Sequence, residues 1–183
     1  MSATDRPADE TKATGAANDW YRDLRRRDRA LDAKLTLALI DRAGHGVLSM
    51  AWPDGRPYAV PMSYGRDEDT IYMHCAGAGQ KLDVLRQNPL AVLCVFDPGE
   101  VTAGDEPCEA SVKYASALAF GRVREIADPE RKNEALAVIC RAHGIPLSPG
   151  EGPSGDMFGA KAGITLVLAL DVEYYSGKAN MAW

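Results

Sequence analysis

The chain has 183 residues, 46% of them apolar and 26% charged, which suffices for one well-buried core and is short for two. A formal net charge of -5 argues against nucleic acid as the main partner, since phosphate-backbone binding needs Lys and Arg clustered on one face. Cys75, Cys94, Cys108 and Cys140 form no Cys-x-x-Cys pair, no stretch approaches the ~20 apolar residues of a membrane helix, and the start lacks a signal-peptide pattern, so a soluble, cytoplasmic protein with reduced thiols and no metal centre is expected.

Residues 1–19 are polar and without period, and read as a mobile tail preceding one domain over 20–183. A helix is predicted over 28–42, with Leu31, Leu35, Ala38 and Leu39 at helical spacing, Asp28 as its cap and Gly44 closing it. Three strands follow, 46–52, 57–64 and 70–75. Their connectors, Pro53-Asp54-Gly55-Arg56 and the polar turn 65–69 beginning with Gly65, both suit hairpins.

A short helix over 80–87 turns Leu82 and Leu85 inward and stops at Asn88-Pro89. The apolar run 90–96 suits a strand buried on both faces. An acidic loop, 97–109, leads to a long extended stretch, 111–126. Asp128-Pro129 then starts a helix that runs to His143, with Asp as cap and Pro at the first helical position. Residues 144–163, rich in Gly, Pro and Ser, are too long for an ordinary connector and read as a lid or excursion. A sixth strand spans 164–174, and Ser176-Gly177-Lys178 begins a tail ending in Trp183. The pattern is mainly β (α+β): hairpins dominate and few links offer a crossover helix, so an antiparallel barrel with peripheral helices is expected rather than a doubly wound sheet.

The stretch HCAGAGQK, residues 74–81, carries the chemistry. A strand end, a turn with Gly77 and Gly79, and Lys81 in the first turn of a helix together make a phosphate cradle of backbone N–H groups, positive helix end and ammonium. It is neither a Walker A loop nor a dinucleotide fingerprint, because Leu82 stands where the third Gly belongs. An ordinary helix entry with a solvated Lys is the competing account. His74 beside this turn is the candidate catalytic side chain, set against a plain surface histidine. Cys75 is a redox sensor if Lys81 lowers its pKa, and otherwise a small apolar residue. His45 and His143, each at a helix end, are assigned to exposed carbonyls. The cluster Arg25–Arg29 attracts an anion or forms a solvated helix entry.

Several of these segments in combination resemble one known family. GRPYAVPMSYG over 55–65 and IYMHCAGAGQKLDVLRQNP over 71–89 are similar to the signature region of the FMN-binding split barrels related to pyridoxamine 5'-phosphate oxidase. Arg25-Arg26-Arg27-Asp28-Arg29 resembles the opening of the nitroimidazole-reductase branch. Residues 114–136 resemble the family's long strand and Asp-Pro-Glu helix, and Ser176-Gly177-Lys178 its terminal motif, so the likeness covers about 25–178.

The resemblance implies a six-stranded split barrel, working as a homodimer with FMN at the interface. It places Pro61, Met62, Ser63 and Tyr64 on the flavin ring and ribityl chain, His74 and Cys75 along the ligand, and Lys81 on the phosphate. Tyr114 and Ser116 face the cofactor from the partner subunit. Gln80 stands where many relatives carry an Arg before the helix Lys, which would weaken the phosphate grip. The C-terminal KANMAW lacks the Arg/His set of a true pyridoxamine-phosphate oxidase, so vitamin B6 oxidation is not assigned. The expectation is an FMN-dependent oxidoreductase acting on a small electrophilic acceptor such as a nitroaromatic. The alternatives are a non-catalytic flavin or haem carrier, or a reductase using deazaflavin F420.

Overall fold

The computed structural model describes residues 21–104, 110–147 and 165–180. The tail 1–19, Trp20, Cys108, Trp183 and the proposed lid beyond residue 147 lie outside the described residues. A 3-10 turn, Arg27–Arg29, precedes helix α1, Ala33–Ala43. Strands β1 (His45–Ala51), β2 (Pro57–Asp67) and β3 (Thr70–Ala76) lead to α2 (Gln80–Gln87) and β4 (Leu90–Asp97). A small ribbon, β5 (Val101–Thr102) and β6 (Ser111–Val112), precedes β7 (Ala115–Ile126), α3 (Pro129–Ala142) and β8 (Thr165–Ala179). Six strands close an antiparallel barrel in the order β1-β2-β3-β8-β7-β4, as the hairpin pattern implied.

Where the elements differ from the sequence reading, backbone chemistry explains it. Asp32, not Asp28, caps α1: its carboxylate accepts from the Leu35 N–H at 2.7 Å, whereas Asp28 turns back to Arg26. The buried face of α1 is Thr36, Leu39 and Ile40, and Ala38 is exposed. β2 runs straight through Gly65, because the chain reverses at Glu68, which takes the positive φ of 49°. β4 alternates, with Ala91, Leu93 and Val95 buried and Phe96 62% exposed, so it is covered fully on one face only. Most consequential is β8: Ser176-Gly177-Lys178 is no tail but continues the strand to Ala179, paired along β7. A Cβ at Gly177 would collide with the Thr36 hydroxyl oxygen, so this glycine admits α1 against the barrel rather than making a turn.

Inward residues of alternating strands, among them Leu48, Ile71, Met73, Leu93, Leu168 and Leu170, fill the barrel, and Leu39 and Ile40 of α1 with Leu82 and Val84 of α2 complete the same core. α3, capped by Asp128 with Pro129 at its start as expected, lies outside β2 and β3. A Cβ at Gly65 would stand 2.7 Å from the Val138 carbonyl, so the helix backbone rests directly on the strand. No helix among the described residues is long and apolar enough to cross a membrane.

Candidate functional site

The barrel is closed in its strand order but not along its whole length. β2 and β3 pair only from Tyr64↔Met73 to Asp67↔Thr70. Beyond Tyr64, β2 keeps β1 as its partner through Ser63↔His45 to Ala51↔Pro57, while His74, Cys75 and Ala76 of β3 pair with β8. A seam therefore opens between residues 57–63 of β2 and 74–76 of β3. Antiparallel strands direct backbone groups alternately to either neighbour. The Tyr64 N–H donates to the Gly44 carbonyl on the β1 side at 2.9 Å, so Ser63 turns its N–H and C=O, and Pro61 its C=O, to the seam. No described strand pairs with this edge.

Side chains divide at the same place. Met62 and Tyr64 point into the barrel, and Pro61 and Ser63 point out. On β3, Met73 and Cys75 are inward while His74 is exposed. His74 and Cys75 thus stand on opposite faces, Ser63 and His74 flanking the seam outside, Met62 and Cys75 inside. Tyr64 has nothing left to offer a ligand: its hydroxyl donates to the Ile40 carbonyl at 2.5 Å, and its own carbonyl is met by His143 Nε2 at 3.2 Å. Burial pushes its pKa well above the usual phenol range.

Lys81 lies at the inner side of the seam. Gly79 enters α2 at φ 131°, a conformation that disfavours any side chain, and a Cβ there would meet no atom, so the approach to the helix start is open. The N–H groups of Gln80 and Lys81 have no intrahelical acceptor in any such first turn. The Lys81 ammonium donates to the Met62 thioether, Nζ to Sδ 3.2 Å, and is also within hydrogen-bond reach of the Cys75 sulfur, and it forms no ion pair among the described residues. A thioether is a weak acceptor for a cation. Cys75 is close enough to feel Lys81, yet burial outweighs that charge and raises the thiol pKa, so it behaves as the apolar alternative and not as an activated thiolate.

Tyr114 and Ser116 are elsewhere. Cross-strand partners run Pro61–Val47–Cys94–Leu118–Ser176 over the outer wall. Leu118 is thus three strand spacings from Pro61, about 14 Å, and Ser116 lies on the next outward row of β7. Within one chain the seam gathers Pro61, Met62, Ser63, His74, Cys75 and Lys81, and leaves Tyr114 and Ser116 at the far edge of that wall. Sequence reasoning did not find the Lys81–Met62 contact or the seam itself, since both depend on where strand pairing stops.

A cleft of about 780 Å³ lies instead under α3, lined by Tyr72, Arg124, Asp128, Arg131, Glu134 and Arg141. Arginines and carboxylates alternate there, and Arg124 is already paired with Asp171. Among the described residues no cluster of three or more His, Cys, Asp or Glu is arranged to hold a metal ion.

A six-stranded antiparallel barrel opened along one seam, with helices packed at its ends and side, defines a split-barrel protein. Residues 32–179 match the family model described as pyridoxamine 5'-phosphate oxidase, and the chain belongs to that family. It is similar in structure to a protein described as a 5-nitroimidazole antibiotic resistance protein from Bacteroides thetaiotaomicron, with 25% identity, TM-score 0.68, and coverage of 82% of this chain and 86% of that one. Likeness of fold extends to a flavocytochrome from Azotobacter vinelandii (22% identity, TM-score 0.73, 90% and 75% covered). It extends also to a FAD- and haem-binding protein from Mycobacterium smegmatis (23%, 0.66, 83% and 73%). No curated protein matches the chain in sequence.

Proposed function

We propose that the protein binds FMN as a homodimer and passes hydride or electrons from the reduced cofactor to a small electrophilic acceptor. The observation that carries this reading is the Lys81 ammonium, which stands at the seam with two weakly accepting sulfurs, Met62 and Cys75, as partners and no carboxylate ion pair among the described residues. An ammonium so placed, next to a helix start with unused N–H groups, fits a phosphate monoester. Beside it, the unpaired edge of β2 offers the Ser63 N–H and C=O and the Pro61 C=O, a donor and acceptors in one line, as the polar rim of a flavin ring requires. The residues present therefore fit the group. The Ser63 hydroxyl and exposed His74 flank the same opening and are within the reach of hydrogen bonds to ring or acceptor.

The flavin supplies the redox chemistry when bound. The chain's part is to hold the phosphate with Lys81 and the first turn of α2, to fix ring orientation with the Ser63 and Pro61 backbone, and to keep solvent from one face. Homodimerisation follows the same logic. On the outer wall of β1, β4 and β7 the outward residues Val47, Val92, Cys94 and Leu118 are only half-buried, and Phe96 at its edge is largely exposed. A second copy packed on this wall would cover it and bring Tyr114 and Ser116 of one chain towards the seam of the other.

The test is the visible spectrum of the purified protein with added FMN, followed anaerobically after NADPH and then a nitroaromatic acceptor. Bleaching near 450 nm on reduction and recovery on adding the acceptor is the expected course for a flavin of this kind. Bound FMN that cycles with neither would make the protein a carrier, and a Soret band in place of flavin absorbance would replace FMN by haem.

A further inference from the structure

Strand β2 changes partner at Tyr64, and the carbonyl at that point is held from outside the sheet. Between β1 and β2 the register runs from Ala51↔Pro57 to His45↔Ser63, and one position further the Tyr64 N–H donates to the Gly44 carbonyl at 2.9 Å. There β1 has ended, and Gly44, at φ 61°, closes α1. The Tyr64 carbonyl faces the same side of β2 as its N–H. It meets His143, the C-cap of α3, with Nε2 3.2 Å from the oxygen. A carbonyl only accepts, so Nε2 carries the proton. The imidazole is itself fixed: its Cε1 would lie 3.2 Å from a Cβ at Gly44, and the His45 ring stands edge-on to it with centroids 4.9 Å apart. One turn earlier the α3 backbone at Val138 and Ile139 rests on Gly65.

Tyr64 is the last residue of β2 to pair with β3 before the seam. The Ser63 carbonyl, which faces the opening, belongs to the peptide whose N–H is tied to Gly44, and the next peptide is tied to His143. Two successive planar units are thus clamped, and the Ser63 carbonyl keeps one direction. We infer that His143 is a positioning residue for the flavin ring, acting through the Tyr64 carbonyl on the edge of β2 at Ser63. The inference rests on the proposed flavin site and adds to it a dependence on α3, which lies outside the barrel. Without the imidazole donor, a carbonyl in a residue only 1% exposed loses this partner. Such a group turns towards another donor, and the Ser63 edge turns with it.

The test is titration of the full-length wild type, His143→Phe and His143→Gln with FMN and with riboflavin. Phe keeps a ring against Gly44 and His45 but has no donor, whereas Gln sets an amide N–H near the place of Nε2. His143→Phe is expected to weaken both flavins about tenfold, the effect of one hydrogen bond to a buried carbonyl. The ratio of FMN to riboflavin affinity should stay that of the wild type, since Lys81 is untouched. His143→Gln should recover most of the affinity. The vibronic shoulder of the bound-flavin band, resolved when the ring is held in one setting, should blur in the Phe variant and return in the Gln variant. If His143→Phe does not fold, His143→Asn, too short to reach Tyr64, takes its place with the same expectation. Wild-type affinities in the donor-free variant, a changed FMN-to-riboflavin ratio, or equal losses with and without the amide would each overturn the proposal while the flavin site stands. Wild-type protein that binds neither flavin would overturn that site and this inference together.

Discussion

The sulfur of Met62 receives the ammonium of Lys81 at 3.2 Å, across a seam where β2 and β3 have stopped pairing. The contact joins an inward strand residue to a helix start and leaves a cation without an anion at an opening in the barrel wall. If that cation serves a phosphate, Lys81→Ala should weaken FMN tenfold or more, about 1.4 kcal/mol, measured by quenching of flavin fluorescence. Its effect on the melting temperature of the flavin-free protein should be small, because a weakly partnered ammonium adds little to folding.

α3 rests on β2 at Gly65. Replacing this glycine by alanine would put a Cβ 2.7 Å from the Val138 carbonyl oxygen and 2.9 Å from the Ile139 backbone. Backbone cannot step aside as a flexible side chain does, so destabilisation of about 1–3 kcal/mol is expected in urea unfolding. Gly55→Ala, where a Cβ meets no neighbour but φ is 87°, should be strained in its turn without disturbing α3.

The capping residue of α1 is open to a direct comparison. Asp32→Ala removes the acceptor of the Leu35 N–H and should cost about 1 kcal/mol. Asp28→Ala, whose carboxylate meets only Arg26, should leave the unfolding midpoint where it was. A larger loss at Asp28 than at Asp32 would reverse the assignment.

Alkaline stability should follow Tyr64 and Tyr175. Burial raises both phenols, Tyr175 from 10 to about 12 and Tyr64 further. The folded chain therefore keeps protons that the unfolded chain releases, so this stabilisation is whole below pH 10 and falls as pH rises from there towards about 12. Melting temperatures from pH 8 upward should decline beyond pH 10, and less steeply in Tyr175→Phe, which removes one of the two buried phenols.

The proposed dimer has its own test on the outer wall. Leu118 sits mid-row between Cys94 and Ser176, facing outward. Leu118→Asp should yield a folded monomer by light scattering, with FMN affinity reduced, since a buried charge opposes apolar association. A dimer persisting in this variant would place the interface elsewhere.

Much of the barrel was legible because hairpins announce themselves by alternation and turn chemistry. The start of α3 was legible for a similar reason: Asp128-Pro129 satisfies two local rules at once, and Asp128 does accept from the Arg131 N–H. Glycines misled where their purpose was close approach. Gly65 reads as the start of a turn and Gly177 as part of a tail, and both lie inside strands, bare so that α3 and α1 can touch the sheet. Asp28 and Asp32 are chemically equivalent caps, and only three-dimensional packing chose between them. At the site, Lys81 could be singled out from the glycine turn before it. The division of His74 from Cys75 follows from strand alternation, but the seam does not, because register and its end are set by distant partners.

Comparison of FMN with riboflavin reaches the central claim with the fewest assumptions, since the two ligands differ only by the phosphate. Wild-type protein is expected to hold FMN at least tenfold more tightly than riboflavin, and Lys81→Ala to hold the two about equally. Equal affinities in the wild type, or a preference that survives in Lys81→Ala, would contradict the assignment of this lysine and its helix start to a phosphate.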